Sequence, residues 1–326
     1  MLVLSRRDVM ELLTLDLCIE AVERAFRLHA EQQTYGPRVV GLPTEDGGFH
    51  IKIAGLRGDR NYFAAKTNGN FPSNGQRFSL PTIQGTVVLA DALNGTPLAV
   101  MDSASITTLR TAAATAVAAK YLARRDARTA TVIGCGAQGE IQLAAIAAVL
   151  PIERALMLDV DHPRAEAAAA RATSGLGLRV EAAKDLPAAL RDSDVCVTCT
   201  PSRRAYVMAA DVAPGTFIAA VGADNQGKQE IDPTLVASAT LVVDVIDQCA
   251  EIGELQHALA GGLMTREQVH AELADVVVGR RPGRTRPDEI TIFDSSGTAL
   301  QDVAAAIAVY EKARAAGRGT EVQLDA

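Results

Sequence analysis

Residues 129–139, Thr-Ala-Thr-Val-Ile-Gly-Cys-Gly-Ala-Gln-Gly, set Gly134, Gly136 and Gly139 directly after a β-branched apolar run and directly before an Ala-rich, apolar-periodic segment. The order is a strand, a glycine turn and a helix start. Such a turn lets the backbone approach a pyrophosphate and aims the free amides and positive dipole end of the helix at it. A second element stands in register: residues 155–159, Ala-Leu-Met-Leu-Asp, form another apolar run ending in an acid, and Asp159 follows Gly139 by 20 residues. An acid at that spacing hydrogen-bonds a ribose diol and repels a 2′-phosphate, so the pattern predicts NAD(H) in preference to NADP(H), with Arg164 near enough to moderate the choice. The alternative, glycines serving only a tight turn and Asp159 capping the next helix, leaves the combined spacing unexplained. Ala137 and Gln138, inside the turn, join the three glycines and Asp159 as candidate cofactor-binding residues.

From Thr129 onward strand-like runs alternate with helical stretches, near 129–133, 155–159, 178–181, 194–199, 216–221, 240–245 and 290–293. That rhythm predicts an α/β fold, a Rossmann-type doubly wound parallel sheet with helices on both faces. Before it, residues 8–33 have helical apolar spacing with a break near Thr14-Leu-Asp16, residues 48–54, 62–67 and 83–90 have strand composition between turn signals, and Ile106 to Leu122 reads as an Ala-rich helix. A helical stretch from about Thr298 to Ala315 follows the last strand. We therefore expect a discontinuous α+β domain, residues 1–122 and 299–326, and a nucleotide domain, 123–298. Arg280 to Pro287 reads as an exposed loop.

Composition narrows the function. The chain has 326 residues, 48% hydrophobic and 22% charged, enough for two cores, and a net charge of −7 that argues against a nucleic-acid partner. Charges interrupt the N-terminal apolar stretch, and no uncharged run reaches the roughly 18 residues of a membrane span, so a cytoplasmic protein with no membrane partner is expected. The five cysteines are scattered. Cys196 and Cys199 form a C-x-x-C, but in a strand that spacing sends the side chains to opposite faces, which makes them two core thiols; no metal site is expected.

Ahead of the nucleotide region, basic residues lie in apolar surroundings: Arg38 in Tyr-Gly-Pro-Arg-Val-Val, Lys66 in Tyr-Phe-Ala-Ala-Lys-Thr-Asn, and Arg110 in an Ala- and Thr-rich helix where a charge needs a partner. A substrate carboxylate would serve all three, through a bidentate guanidinium fork and an ammonium point charge. Pairing with an Asp or Glu is the plainer alternative. Beyond the strand at 216–221, Val221-Gly-Ala-Asp224 opens a loop where ligands of open α/β sheets gather; Thr200 and Asp294-Ser295-Ser-Gly297 occupy the same edge.

Arg-Thr-Ala-Ala-Ala at 110–114, Ile-Gly-Cys-Gly-Ala-Gln-Gly at 133–139, Val-Gly-Ala-Asp at 221–224 with Gly-Lys-Gln-Glu after it, and Phe-Asp-Ser-Ser-Gly at 293–297 together resemble the ornithine cyclodeaminase and mu-crystallin family. The resemblance runs along nearly the whole chain. It implies a nicotinamide-dependent enzyme acting on a small imino, keto or amino acid, and a homodimer that pairs the β structure of the discontinuous domain. It further implies that Arg38, Lys66 and Arg110 bind the carboxylate, that Thr82 orients substrate, and that Asp224 is the catalytic acid/base, with Lys66 the next candidate for that role. Thr111, Thr200, Val221 and Ser295 fall in its cofactor-binding elements.

One departure bears on substrate. Ornithine cyclodeaminases carry an acid in the strand before the Lys66 element, whereas this chain has Gly48-Phe-His50-Ile-Lys52-Ile-Ala and no acid between Asp46 and Asp59. That favours net hydride transfer, an imino acid reductase or amino acid dehydrogenase of the alanine dehydrogenase type, over a cyclodeaminase that releases ammonia. A non-enzymatic crystallin-like binder is opposed by the intact basic and acidic set. Lys52 has two readings. Pointing into the site it would bind a second substrate carboxylate; on the solvent face, with Ile51 and Ile53 inward, it would be structural.

Overall fold

The structure, a computed structural model, describes residues 1–324. The chain divides into two compact units, Met1–Ala113 with the segment from Thr298 onward, and Ala114–Gly297. The division falls inside the helix Ser103–Leu122 and not after residue 122, the boundary expected from the sequence. No Gly or Pro interrupts that helix, so packing, not a chain break, sets the boundary.

In the first unit a seven-stranded sheet runs in the order Thr320–Glu321, Leu2–Leu4, Pro97–Asp102, Ile83–Asp91, Tyr62–Asn70, Gly47–Leu56, Thr34–Thr44. All pairings are antiparallel except that of Leu2–Leu4 with Pro97–Asp102. The strand Thr34–Thr44 went unread in the sequence because Gly36, Pro37, Gly41 and Pro43 break its pattern; as the edge strand it tolerates them. The helices Leu15–Ala30 and Ala299–Ala316 pack together, the second also against the strands Gly47–Leu56 and Tyr62–Asn70. Thr14 caps the first helix through its side chain, which makes the break at that point, and Cys18, Ile19, Val22, Ala25 and Phe26 form its buried stripe. Alternation gives the sheet one buried face, with Ala54, Ala64, Val87 and Leu89, and a second face on which Val40, Leu42, Phe49, Ile51 and Val88 are 37–62% exposed.

The second unit is built on an eight-stranded parallel sheet in the order Ala271–Glu272, Thr240–Val243, Thr291–Asp294, Phe217–Ala220, Val195–Thr198, Thr129–Ile133, Arg154–Leu158, Arg179–Ala182. Its central strands are buried on both faces, as continuous Val, Ile, Leu and Ala runs require. Chain direction across the sheet reverses between Thr129–Ile133 and Val195–Thr198, the topological switch point at which ligands of such sheets bind. Arg203–Val207 and Gln229–Ile231 form a separate two-stranded ribbon. Within the 280–287 loop, Arg284 is half-buried and not exposed: it donates hydrogen bonds to the carbonyls of Leu122, Thr216 and Glu289 and to Thr291 Oγ1, closing the amino edge of the sheet. No helix among the described residues is long and apolar enough to cross a membrane.

Candidate active site

In the second unit, the strand Thr129–Ile133 enters the turn at Gly134, whose φ of +104° is open to glycine and strained for other residues; a Cβ there would also lie 2.9 Å from the Cys199 carbonyl oxygen. Gly139 starts the helix Gly139–Val149 so close to the strand end that a Cβ would sit 2.6 Å from Gly134 O. Gly136 and Ala137 are exposed, and a Cβ at Gly136 would meet nothing within 4 Å. Gln138, at the N-cap, makes no side-chain cap, its Oε1 accepting instead from Gln142 Nε2 at 3.1 Å. Apart from Gly139 N, which donates to Gly136 O at 3.2 Å, the first-turn amides are uncapped by any side chain and open to an external acceptor.

Asp159, just past the strand Arg154–Leu158, is anchored to this turn. Its Oδ2 accepts from the Cys135 amide at 2.8 Å and its Oδ1 from the Asp161 amide at 2.9 Å, with Arg164 Nη1 3.7 Å away. Each carboxylate oxygen keeps a further lone pair for a diol. Ser295, held by its amide on Ala220 O, is buried with its Oγ lacking a hydrogen-bond partner among the described residues. An open glycine turn, an acid fastened beside it and an orphaned hydroxyl suit a dinucleotide.

The carboxyl ends of the neighbouring strands are organised by Glu230, the last residue of the Gly-Lys-Gln-Glu segment, to which its place in the sequence assigns no role. Its Oε1 accepts from Thr200 N, Thr200 Oγ1 and Tyr206 Oη at 2.7, 2.7 and 2.6 Å, and its Oε2 from Thr198 Oγ1 and Gly222 N at 2.7 and 2.8 Å. Thr200 is therefore held by the protein itself. Val221 is buried, its amide on Thr198 O, and Asp224 stands exposed on the loop beyond, 2.5 Å from Lys228 Nζ. Beneath lie more acids. Glu254 accepts from the amides of Glu230 and Ile231 at 2.7 and 3.3 Å, and burial, followed by the charges of Asp294 and Glu230, pushes its carboxyl up to about 9. Burial likewise pushes Asp294 up to about 7. Cys196 is buried within its strand; Cys199, one residue beyond the strand end, donates to the Gly134 and Ile133 carbonyls at 3.1 and 3.4 Å, and burial raises both thiols.

In the first unit, Lys66 and Arg110 meet on one carboxylate. Lys66 Nζ lies 2.8 Å from Asp302 Oδ1 and 3.3 Å from Thr107 Oγ1; Arg110 Nε lies 2.8 Å from the same Asp302 oxygen, too far off axis for a hydrogen bond, and its Nη1 donates to Gln301 Oε1 at 2.6 Å. All four side chains of Lys66, Arg110, Gln301 and Asp302 are buried. Burial lowers Lys66 to about 7, with Arg110 and Lys52 pushing the same way and Asp302 opposing; the two nearest cations hold Asp302 below its ordinary value in spite of burial. Lys52 is the register partner of Lys66 and so lies on the same sheet face, while Ile51 is on the exposed face, the reverse of the arrangement with Ile51 and Ile53 inward. Thr111 is buried one residue beyond Arg110, its Oγ1 donating to Thr107 O at 2.7 Å.

Arg38 and Thr82 are not brought to this cluster. A register shift between Tyr35 and Arg38 sets Arg38 opposite Ile53, on the exposed face away from Lys66, and Thr82 is exposed with its carbonyl bonded to the Phe71 amide. A register change of this kind leaves no mark in composition. Asp302 and Gln301 had a signal: they are two polar residues in the apolar first turn of the last helix, and Arg110 required an acid.

A family model described as ornithine cyclodeaminase/mu-crystallin family matches residues 1–317. Among solved structures, the chain is similar to an archaeal alanine dehydrogenase dimer with bound NAD, at 38% identity and TM-score 0.94, covering 99% of each chain. It is similar to the Thermococcus litoralis Delta(1)-pyrroline-2-carboxylate reductase in complex with NADH and L-proline, at 34% identity and TM-score 0.94, covering 99% of this chain and 100% of that one. It is likewise similar to the iminosuccinate reductase of Paracoccus denitrificans in complex with NAD+, at 37% identity and TM-score 0.90, covering 99% of each.

The buried acids make stability depend on pH. Glu254 has a folded value of about 9 against an ordinary 4.5, so between those values the folded state holds a proton that the unfolded state has lost, and raising the pH favours unfolding; Asp294 adds in the same sense up to about 7. Urea midpoints measured from pH 5 to 7, below the range in which the depressed Lys66 acts in the opposite sense, are expected to fall progressively, with a shallower decline in Glu254→Gln; equal slopes in the two proteins would show Glu254 titrating normally.

Proposed function

This chain belongs to the ornithine cyclodeaminase/mu-crystallin family, and we propose that it is an NAD(H)-dependent oxidoreductase that moves hydride between the nicotinamide and the α-carbon of a small imino or amino acid. The reading is carried by the presence, in one chain of this family, of a glycine turn fastened to Asp159 and a buried Lys66–Arg110 pair. NAD or NADH is the cofactor held in the three related structures. When bound, it supplies or accepts the hydride. Gly134, Gly136, Ala137, Gln138 and Gly139 would receive its phosphates, Asp159 its ribose, and Ser295, with Thr111, Thr200 and Val221, the remainder. Lys66 and Arg110 bind the substrate α-carboxylate, the first as a point charge and the second as a fork. Asp224, exposed on its loop and paired with the Lys228 ammonium 2.5 Å away, exchanges the proton at substrate nitrogen. Five free cysteines suit a reducing cytoplasm.

Lys52 bears on the substrate class. Opposite Lys66 in register and on the same face, it favours a substrate with a second carboxylate and disfavours a side-chain amine, which like charge repels. The same substitution of a base for an acid supports net reduction over cyclodeamination.

A second copy of the chain is the occupant we assign to the exposed sheet face. Val40, Leu42, Phe49, Ile51 and Val88 together form an apolar surface larger than isolated exposed residues would make, on strands next to the free edge Thr34–Thr44. Arg38 lies on this face, so a copy seated there would cover it. One of the related structures is a dimer.

Three measurements test these assignments. NADH consumption should follow addition of an imino acid, or of a keto acid with ammonia, and Asp224→Asn should lose about 10²-fold or more in turnover while keeping its NADH dissociation constant within about threefold; unchanged turnover would move the proton to another group. Oxaloacetate with ammonia should outperform pyruvate with ammonia, and Lys52→Ala should erase about tenfold of that advantage, about 1.4 kcal/mol; a variant indifferent to both substrates would make Lys52 structural. Sedimentation should give a dimer that Leu42→Glu converts to monomers, and a wild-type monomer at micromolar concentration would remove the assignment.

A further inference from the structure

Asp302 has no task in the reaction as described, yet it is buried as deeply as the cations it joins, at 2% exposure. A buried lysine has lost the hydration that keeps an ammonium charged, so its charge depends on the groups around it. From the neighbouring strand Gly47–Leu56 come Lys52 and, two residues along the same face, His50; from the strand Ile83–Asp91 comes only Val87. The helix Ser103–Leu122 brings Arg110 and Thr107, the helix Ala299–Ala316 brings Asp302 and Gln301, and Cys18 of Leu15–Ala30, its thiol pushed up to about 12 by burial, lies within the field of Arg110 and Asp302. Among the groups that act on Lys66, Asp302 supplies the negative charge. Its Oδ1 stands 2.8 Å from both cationic nitrogens, which fixes them side by side, and its Oδ2 has no hydrogen-bond partner among the described residues.

We propose that Asp302 is a positioning residue that keeps Lys66 protonated and holds Lys66 and Arg110 together so that both receive one substrate carboxylate. The proposal rests on the anchoring role given to those two residues. Burial and the other cations already bring Lys66 to about 7 in the presence of Asp302, so the site works close to the point at which its lysine discharges. Removing the one opposing charge carries Lys66 past that point. Arg110 would remain charged, since a guanidinium does not deprotonate in proteins, but would lose the carboxylate charge that stands 2.8 Å from its Nε.

The experiment is the pH profile of substrate KM, from pH 5.5 to 9, for wild type, Asp302→Asn, Asp302→Glu and Lys66→Arg. Wild-type KM should rise as pH passes through about 7, where Lys66 loses its proton. In Asp302→Asn the rise should begin at least one pH unit lower, giving a KM about tenfold higher at pH 7 that is largely recovered at pH 5.5, and Asp302→Glu should restore the wild-type break. In Lys66→Arg the break should vanish, and adding Asp302→Asn should not bring it back. A structural defect would raise KM by the same factor at every pH, and that result overturns the proposal, as does an unmoved break. Should Asp302→Asn fail to fold, Asp302→Ser, which leaves space for a water, takes its place with the same expected shift. Lys66→Met separates the two claims: an unaltered KM there refutes the anchoring role itself, whereas a raised KM with an unmoved break in Asp302→Asn refutes only the role of Asp302.

Discussion

The carboxylate of Glu230 is the point on which the functional edge of the parallel sheet depends. Parallel strands end in loops whose amides and hydroxyls must find acceptors once buried. Here one side chain receives five of them: Thr198 at a strand end, the amide and hydroxyl of Thr200, Tyr206 from the two-stranded ribbon, and Gly222 at the end of the neighbouring strand. Charge-assisted bonds of this kind are about twice as strong as neutral ones, and a buried donor left without its acceptor costs about 1–3 kcal/mol. The loop that carries Asp224 starts from Gly222. Its position is therefore a consequence of the Glu230 contacts and of the buried Glu254 beneath them.

The same economy governs the other unit, with opposite sign. There the excess is cationic, and Asp302 is the acid around which Lys66 and Arg110 gather. Both arrangements keep charge where apolar burial alone would expel it, which is characteristic of sites that must meet a charged ligand. The glycine turn uses a third solution, leaving amides unsatisfied by side chains while fastening the turn to Asp159. The three solutions differ in sign and in means: a buried acid between cations, a buried acid among amides and hydroxyls, and a glycine turn held to an acid.

Along the chain, what could be read without coordinates was what depends on local chemistry. Gly134, Gly136 and Gly139 next to a β-branched run, with an acid 20 residues on, specify a strand, a turn and a helix start because few other residues tolerate those dihedrals and approaches. The alternation after Thr129 specified a parallel sheet, and the Ala-rich runs specified buried helices. Arg110 in apolar surroundings announced a partner. Tertiary structure decided which partner, because Asp302 is 192 residues away in sequence and reaches Arg110 only when the last helix returns to the first unit. It also decided the parity of side chains on the sheet: pairing in register turned Lys52 toward Lys66 and Ile51 outward, while the shift between Tyr35 and Arg38 turned Arg38 to the opposite face. A one-residue slip reverses such outcomes without altering the composition of any strand. Propensity and spacing are properties of a segment, whereas register and the pairing of distant charges are properties of how segments meet.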